Sequence, residues 1–248
     1  MKKLWIAGVL LGCWAEAGSI RVAIAANISY VMPVLREAFV RTHPSIDVQT
    51  TVGGSGKLAT QIAHGAPYDL FLSANMAYPQ KLYEGGTATT KPIVYAQGAL
   101  AYLSTQPRDF THGIALLSDP AIGRIAVANP RTAPYGKAAF EALRKAKLLE
   151  PLRPKLVYGE SIAQTVTYAV RAADIGLVAL SALYAPQMAR YTHGTHWHEV
   201  DPSLYQPIDQ GMVILKRAET NPDVRAFYDF LLSAPARTHF AQYGYRLP

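Results

Sequence analysis

Residues 46–73 have the sequence IDVQTTVGGSGKLATQIAHGAPYDLFLS, and this stretch decides the fold. Residues 46–52 are rich in β-branched side chains, which predicts a strand. A glycine-rich turn follows, and then Leu58 and Ile62 lie four residues apart on one face of a predicted helix. The apolar run at residues 69–73 predicts a second, buried strand. A strand, a helix and a strand joined by short turns predict parallel strands and therefore an α/β fold.

The same alternation of strand and helix continues along the rest of the chain. Further strands are predicted at residues 20–25, within 93–103, and at 124–128, 156–158, 175–180 and 210–216. Further helices are predicted over residues 31–39, 135–148, 162–172 and 221–232. The length of 248 residues suits one large domain or two smaller ones. Because the sequence has no low-complexity linker, two lobes require strands that cross between them, and we predict these crossings at residues 95–103 and 205–213.

The N-terminus has the anatomy of a secretory signal peptide. Lys2 and Lys3 precede an apolar run at residues 4–12 and a small-residue cleavage site that ends at Ala17. The apolar run is shorter than the about 20 residues that span a bilayer, so we expect export and cleavage. Two alternatives remain open. One is a short N-terminal core helix, and the other is a lipoprotein anchored through Cys13, the single cysteine.

Composition favours a globular protein and argues against a nucleic-acid binder. Half of the residues are hydrophobic, 17% are charged, and the formal net charge is +7. A nucleic-acid-binding protein concentrates its basic residues in one stripe. Here the densest basic stretch, residues 144–155, coincides with the end of a predicted helix, where solvated cations are favourable. A mild positive field also speeds the capture of anions.

Four strands are each followed by a turn of small or polar residues and then by a helix. The turns are Ala25-Ala26-Asn27, Gly54-Ser55-Gly56, Ala133-Pro134-Tyr135-Gly136 and Gly159-Glu160-Ser161. The first N–H groups of a helix have no intrahelical partner, and the helix dipole adds partial positive charge there. Helix N-termini at the carboxyl ends of strands are therefore ready anion sites. Ordinary capping by Asn27 and Ser161 explains single turns, but the four together predict a shared anion pocket.

The glycine-rich turn after residue 52 does not match two catalytic motifs that it superficially resembles. A nucleophile elbow needs a glycine two residues after the serine, where this chain has Lys57. A phosphate-binding loop needs a glycine at the position of Thr51 and a hydroxyl residue at the position of Leu58. An exported hydrolase that uses Ser55 with a histidine remains an alternative from a different functional class.

Three histidines close in sequence raise the alternative of a metal site. His193, His196 and His198 lie within six residues, and Glu199 is the carboxylate placed to assist them. A solvent-exposed histidine loop is the more economical interpretation. Since Asp69 also has no evident acid–base partner, we predict that the protein is not an enzyme.

Long segments of the chain resemble the periplasmic molybdate-binding proteins that supply ABC transporters. The segments are Gly65–Ala74, Asn129–Gly136, Gly176–Leu180, Phe227–Leu231 and Tyr243–Tyr245. They occur in the family's order, and the resemblance extends from Ile20 to about Leu247. Asn in the first turn and Ala-Pro-Tyr-Gly in the third resemble one branch of this family. The resemblance implies a two-lobed solute-binding protein fold of type II, with mixed, mostly parallel sheets flanked by helices and a ligand in the inter-lobe cleft.

The same resemblance implies how the chain is divided and where it works. Residues 1–17 are expected to be the signal peptide, residues 18–97 and 207–248 to form lobe 1, and residues 98–206 to form lobe 2. The expected location is the periplasm, and the expected partner is the membrane permease of an ABC transporter. We expect a monomer that binds no nucleic acid. An adhesin or sensor domain without a small ligand is a further alternative.

In this family the ligand is held by hydroxyls, amides and backbone N–H groups, without a countercharge. Carried over by position, the implied contacts are Ala26, Asn27, Ser55, Tyr135 and Ile162, with support from Gly54, Gly56, Pro134 and Ser161. Asn27 stands where another branch has serine, so its side-chain amide is expected to donate. Some members use a tyrosine just after the late strand, where this chain has Ala179. This departure implies that Tyr135 supplies the phenol.

The implied ligand is molybdate or tungstate, which have nearly the same size and charge. The alternative is another tetrahedral oxyanion, such as sulfate or phosphate. No cofactor is expected, and no metal apart from the one inside the oxyanion. Lys57 and Lys137 each follow a glycine of a predicted site turn. We expect these lysines to steer the anion inward rather than to touch it.

Overall fold

The computed structural model describes residues 18–247, so the predicted signal peptide and Cys13 lie outside the described residues. The strands are β1 (Gly18–Ala25), β2 (Ile46–Gly53), β3 (Leu70–Leu72), β4 (Ile93–Gly98), β5 (Leu100–Leu103), β6 (Ile125–Ala128), β7 (Leu156–Gly159), β8 (Ile175–Ala179), β9 (Trp197–Glu199) and β10 (Ile208–Ile214). The α-helices are α1 (Met32–Val40), α2 (Ser55–Ala63), α3 (Ala77–Glu84), α4 (Pro134–Lys145), α5 (Leu149–Leu152), α6 (Ile162–Arg171), α7 (Leu180–Leu183), α8 (Pro222–Leu232) and α9 (Ala234–Gln242). Within residues 18–247, no helix combines the length and apolar character needed to cross a membrane.

The strands form two sheets of five, each at the centre of one lobe. The order is β2-β1-β3-β10-β4 in lobe 1 and β7-β6-β8-β5-β9 in lobe 2. In each sheet four strands run in one direction and the fourth in the order, β10 or β5, runs against them. The predicted two-lobed α/β fold with mixed, mostly parallel sheets is confirmed.

The chain passes between the two sheets at two places. A single residue, Ala99, separates β4 of lobe 1 from β5 of lobe 2, so the strand predicted within residues 93–103 is in fact two strands in different sheets. The return lies between β9 and β10, at residues 200–207, earlier than the predicted crossing. Gly98 is required at the first crossing, because a Cβ there would lie 2.1 Å from the Tyr135 hydroxyl.

Strand register brings the four predicted turns together in pairs. In lobe 1, Ala25 at the end of β1 lies beside Gly53 at the end of β2. In lobe 2, Ala128 at the end of β6 lies beside Gly159 at the end of β7. Because parallel strands point their carboxyl ends the same way, each lobe presents two turns at one edge of its sheet.

Buried apolar side chains hold the helices against the sheets. In lobe 1, helices α8 and α1 pack through Phe39 and Phe227, whose rings meet edge to face at 4.9 Å. In lobe 2, Leu143 of α4 and Leu177 of β8 share one buried cluster. Each such side chain contributes about 1.5–3 kcal/mol when buried, and this packing fixes the helix starts relative to the strand ends.

Candidate anion-binding site

Three of the four predicted turns, and Ile162 directly after the fourth, line one small cavity between the lobes. The lining residues are Ala25, Ala26, Asn27, Gly54, Ser55, Ala74, Ala133, Pro134, Tyr135 and Ile162. The lining therefore includes the five predicted contacts and two of the predicted supporting residues, Gly54 and Pro134. The other two, Gly56 and Ser161, belong to the predicted turns but do not line the cavity. Ala25, Ala74 and Ala133 were not among the predicted contacts.

The first turn differs from the predicted helix start. A short 3-10 turn over Ile28–Tyr30 follows Asn27, and α1 begins only at Met32. The Ala26 N–H donates to the Gly53 carbonyl at 2.9 Å, so this amide serves the lobe's own structure. Asn27 is fully buried, but its side chain does not cap the turn. The hydrogen-bonding groups that this turn presents to the cavity therefore depend on the side-chain amide of Asn27.

The Asn27 amide is oriented by residues from distant parts of the chain. Its Nδ2 donates to Gln210 Oε1 at 2.8 Å and to the Tyr245 hydroxyl oxygen at 2.9 Å. The backbone carbonyl oxygen of Asn27 accepts from the Tyr245 hydroxyl at 3.0 Å and from Ser181 Oγ at 3.2 Å. Both N–H groups that we expected to donate to the ligand are therefore engaged by protein groups in this arrangement.

In the second turn, Ser55 opens helix α2 and has its hydroxyl available. Gly54 is the N-cap, and the Ser55 N–H is among the first of the helix, which have no intrahelical partner. Ser55 Oγ accepts from the Ala74 N–H at 3.0 Å, which leaves the hydroxyl proton free to donate. Ser55 therefore offers a backbone and a side-chain donor side by side.

The lobes meet at the second turn, and glycine makes this contact possible. The Gly56 N–H of lobe 1 donates to the Thr132 carbonyl of lobe 2 at 3.1 Å. A Cβ at Gly56 would lie 3.0 Å from the Thr132 carbonyl oxygen, and one at Gly54 would lie 3.1 Å from the Glu160 carbonyl oxygen. Gly54 and Gly56 thus allow the close approach of the two lobes over the cavity.

The third turn supplies Tyr135 at the start of helix α4. Pro134 is the first helical residue, so the Tyr135 N–H is the first amide of this helix. The Tyr135 hydroxyl oxygen accepts from Gln210 Nε2 at 3.1 Å, across the boundary between the lobes. Burial raises the pKa of the Tyr135 phenol well above its ordinary value, and nearby Tyr245 adds to this effect. The phenol is therefore neutral and keeps a proton to donate.

The fourth turn is an N-cap that points a backbone amide outward. Ser161 Oγ accepts from the Gln164 N–H at 3.2 Å, and Gln164 Oε1 accepts from the Glu160 N–H at 2.7 Å. In a capping box the second bond would return to the N–H of Ser161, whereas here the Gln164 side chain bonds the N–H of Glu160. Ile162 begins helix α6 and lines the cavity, so its N–H is the donor that this turn offers.

The cavity is lined by uncharged residues, whereas the larger groove beside it is charged. The groove shares Ala74 and Pro134 with the cavity and is also lined by Lys137, Glu141 and Asp209. Lys137 Nζ lies 3.9 Å from Glu141 Oε1. The small cavity is the better anion site, because its donors converge there and no lining carboxylate repels a negative ligand.

Sequence reasoning missed Gln210, which contacts both Asn27 and Tyr135 behind the cavity. The signal was present: Gln210 is a polar residue in an apolar strand and is followed by Gly211. A glycine in a strand pattern indicates a bulge or a close approach, and the β10–β4 register does shift between these two residues.

Two of the three histidines considered as metal ligands lie together with the carboxylate of Glu199. Ligand atoms of His193, His198 and Glu199 all lie within 4.8 Å of one another.

This chain is similar to known solute-binding proteins over almost its whole described length. A family model described as "Bacterial extracellular solute-binding protein" matches residues 20–246. The molybdate-binding protein ModA of Azotobacter vinelandii is 38% identical over 240 residues, which cover 96% of this chain and 94% of that protein. ModA of Rhodobacter capsulatus is 36% identical over 234 residues, with 93% and 89% covered.

Solved structures agree with these relatives. The periplasmic molybdate-binding protein of Azotobacter vinelandii matches with a TM-score of 0.86 and 28% identity, covering 92% of this chain and 99% of that chain. The sulfate-binding protein SubI of Mycobacterium tuberculosis matches with a TM-score of 0.70 and 16% identity, covering 93% and 87%, a likeness of fold alone. This chain therefore belongs to the bacterial extracellular solute-binding protein family, among relatives that are named molybdate-binding protein ModA.

Proposed function

We propose that this protein binds molybdate, and also tungstate, and delivers the anion to the permease of an ABC transporter. The observation that carries the proposal is the cavity, where hydroxyls and helix-start N–H groups from three of the four turns meet between uncharged residues. Such a site suits a dehydrated oxyanion. The identity of 38% to a molybdate-binding protein supports the choice of anion.

Hydrogen-bond energies support tight binding by such a site. A hydrogen bond to a charged group contributes about 1.5–3 kcal/mol net. The donors described above are the Ser55 N–H and hydroxyl, the Tyr135 N–H and hydroxyl, and the Ile162 N–H. Five such net contributions sum to about 7.5–15 kcal/mol, compared with about 8.2 kcal/mol for a dissociation constant of 1 μM, so sub-micromolar affinity lies within this range.

The pocket's donors also favour molybdate over the alternative anions. Sulfate is smaller, so a pocket closed around molybdate leaves some donors unmet when sulfate binds. Phosphate carries a proton near neutral pH, and none of the ten lining residues offers a carboxylate to accept it. Tungstate matches molybdate in size and charge, and nothing in the lining distinguishes them.

The proposal includes the setting in which the protein works. Residues 1–17 act as a signal peptide that directs the chain to the periplasm, where it works as a monomer. Residues 18–97 with 207–248 and residues 98–206 are the two lobes that close on the anion. The protein carries its ligand without catalysing a reaction, and anchoring through Cys13 is the competing arrangement.

A thermal-shift series with sodium molybdate, tungstate, sulfate and phosphate tests this function. A ligand present at 1,000 times its dissociation constant adds about 4.1 kcal/mol to the free energy of unfolding. We expect large shifts with molybdate and tungstate and small ones with sulfate and phosphate. Calorimetric competition then ranks the first two anions. A shift with sulfate or phosphate that exceeds the molybdate shift would replace the proposed ligand, and no shift with any oxyanion would overturn the function.

A further inference from the structure

A buried hydrogen-bond network behind the cavity joins the two lobes, and Gln210 is at its centre. Gln210 is fully buried on β10 of lobe 1. Its Oε1 accepts from Asn27 Nδ2 at 2.8 Å and from the Tyr95 hydroxyl at 3.1 Å. Its Nε2 donates to the Tyr135 hydroxyl oxygen of lobe 2 at 3.1 Å. Gln210 thus touches two residues that line the cavity without lining it itself.

The two ends of the Gln210 amide determine which neighbouring groups donate and which accept in this network. One end can only accept and the other can only donate. Because Nε2 donates to Tyr135, the Tyr135 proton is left for a ligand. At the other end, Gln210 and Tyr245 take both N–H groups of Asn27. Asn27 Oδ1 is then buried without a partner among residues 18–247.

We propose that Gln210 is a positioning residue, whose amide orientation decides whether Tyr135 or Asn27 donates to the bound anion. The proposal rests on the oxyanion-binding function proposed above. In the observed orientation Tyr135 is the free donor. Turning the amides of Gln210 and Asn27 over exchanges their ends, so that Tyr135 donates to Gln210 and the Asn27 NH₂ takes the position of Oδ1. One donor is available in either orientation.

Gln210→Glu removes both amide orientations, because it replaces the amide with a carboxylate of almost the same shape. A carboxylate only accepts, so it accepts hydrogen bonds from the Tyr135 hydroxyl and from the Asn27 amide together. Neither of these two residues then has a side-chain donor left for the anion. We expect molybdate to bind about 10- to 100-fold more weakly at pH 8. Burial raises the pKa of a glutamic acid, so the deficit should shrink as the pH is lowered to about 6. The wild type should show no such recovery. Gln187→Glu makes the same charge change at an exposed position and should bind like the wild type.

A double-mutant cycle separates positioning from a general effect of charge. In a Tyr135→Phe background, Gln210→Glu should cost several-fold less affinity, because the hydroxyl through which Gln210 acts is gone. If Gln210→Glu does not fold, Gln210→Met removes the amide without adding charge and should show the same dependence on Tyr135. Equal losses with and without the Tyr135 hydroxyl in either variant, or a Gln210→Glu loss that does not change with pH, would overturn the proposal. Failure of the wild type to bind any oxyanion would instead overturn the proposed function.

A second observation concerns the turn at residues 193–198 in lobe 2. Gly194 adopts φ of 76° and donates its N–H to the Trp197 carbonyl at 2.8 Å, which turns the chain tightly. The turn stacks His193 on His198, with ring centroids 5.1 Å apart. His193 Nε2 lies 3.2 Å from Glu199 Oε2, and the His193 ring packs against buried Trp197.

The geometry points to a surface site for a divalent transition metal at His193, His198 and Glu199, with zinc as the favoured ion. Two imidazoles and a carboxylate match zinc's ligand preferences and leave a fourth position for water. Their ligand atoms already lie within 4.8 Å of one another. His196 is not part of the cluster. Its Nδ1 accepts from the Thr192 N–H at 3.1 Å, and its ring packs against Tyr191 instead.

His196 gives a matched control within the same turn. Calorimetry with zinc chloride on the untagged protein, at a pH where histidine is neutral, should show one site on the wild type. His193→Ala and His198→Ala should each weaken zinc binding at least about 10-fold, whereas His196→Ala should leave it unchanged. No zinc binding by the wild type at micromolar concentrations, or an equal loss in His196→Ala, would overturn this site.

Discussion

Lobe 1 faces the cavity with polar side chains, whereas lobe 2 faces it largely with the amides of helix starts. Asn27 and Ser55 of lobe 1 are both buried and both fixed by hydrogen bonds to other parts of that lobe. In lobe 2, Ile162 offers only its N–H, and Tyr135 is the one lining residue with a polar side chain. The two walls should therefore respond differently to mutation. In lobe 1, truncation of a lining side chain should weaken anion binding. In lobe 2, apart from Tyr135, only the loss of a backbone N–H group should weaken it.

Ser55→Ala should have the largest effect, because the serine serves both the anion and its own lobe. The change removes a donor worth about 1.5–3 kcal/mol to a charged ligand, or about 10- to 150-fold in affinity. It also deprives the Ala74 N–H of its acceptor. Isothermal titration with molybdate measures the first effect, and urea unfolding without ligand measures the second.

Ser104→Ala is the matched control for this change. Ser104 is equally buried and donates to the Asp174 carbonyl at 2.8 Å in lobe 2, but it does not line the cavity. Its loss should lower stability and leave molybdate affinity unchanged. A Ser55→Ala protein that binds molybdate within about 3-fold of wild type would contradict a side-chain role for the lobe 1 wall.

Ile162→Pro tests the lobe 2 wall by removing a single N–H group. Proline is favoured at the first position of a helix, and Ser161 already has the extended backbone that must precede it. The helix should survive while its donor to the anion is lost, so we expect about 10- to 100-fold weaker binding. Titration calorimetry measures the affinity, and circular dichroism checks the helix.

Ile162→Ala provides the comparison, because it shortens the side chain and keeps the N–H. If lobe 2 binds through its backbone, this variant should lose stability from the smaller buried side chain but keep most of its affinity. Equal affinity losses in the alanine and proline variants would show that the Ile162 side chain, not its amide, shapes the site.

The pattern of turns was predictable from the sequence, because helix starts leave local signals. Pro134, Gly54 and Ser161 occupy the positions that capping chemistry favours, and the structure has them at the starts of α4, α2 and α6. Short elements with few buried residues were not predicted. Helix α3 buries only Pro79 and Leu82, so its apolar periodicity is too weak to detect.

Long-range hydrogen bonds were the part of the site that the sequence did not reveal. The orientation of Asn27 depends on Gln210 and Tyr245, which lie 183 and 218 residues away in the chain. No local pattern encodes such a pairing, because it arises only when β10 and the C-terminal residues pack against β1. The sequence near Asn27 therefore predicts that its side-chain amide donates to the ligand, and only the folded structure shows that Gln210 and Tyr245 accept from this amide.

Alkaline pH tests the junction between the two walls, which is rich in buried phenols. Burial raises the pKa values of Tyr95, Tyr135 and Tyr245, and it raises that of Tyr30 to about 12. The folded protein therefore holds these protons at a pH where the unfolded chain has lost them, so stability must fall above the unfolded pKa of about 10. We expect a loss of up to about 1.4 kcal/mol per pH unit for each tyrosine, measured by urea unfolding between pH 8 and 11.

Tyr95→Phe should make that decline shallower, since one raised pKa is removed. Molybdate affinity should stay constant from about pH 7 to 9, because the Tyr135 phenol remains neutral and continues to donate. An affinity that falls within this range would show that the phenol titrates near its ordinary value, and would contradict the burial of the junction.

The smallest expected effect concerns the approach of the anion, where the two lobes differ again. Lys137 of lobe 2 lies near Glu141, whose carboxylate offsets its charge, whereas Lys57 of lobe 1 is exposed on the second turn. Lys57→Ala should therefore slow molybdate association by about 2-fold at low salt, and Lys137→Ala by less. Stopped-flow fluorescence at low salt and at about 1 M salt, where the Debye length is about 3 Å, measures this difference. Because steering is lost at high salt, the variants and wild type should associate at one rate there. A Lys57→Ala defect that persists at high salt would mean that the lysine touches the bound anion, and lobe 1 would then hold its ligand with a charge as well as with Ser55.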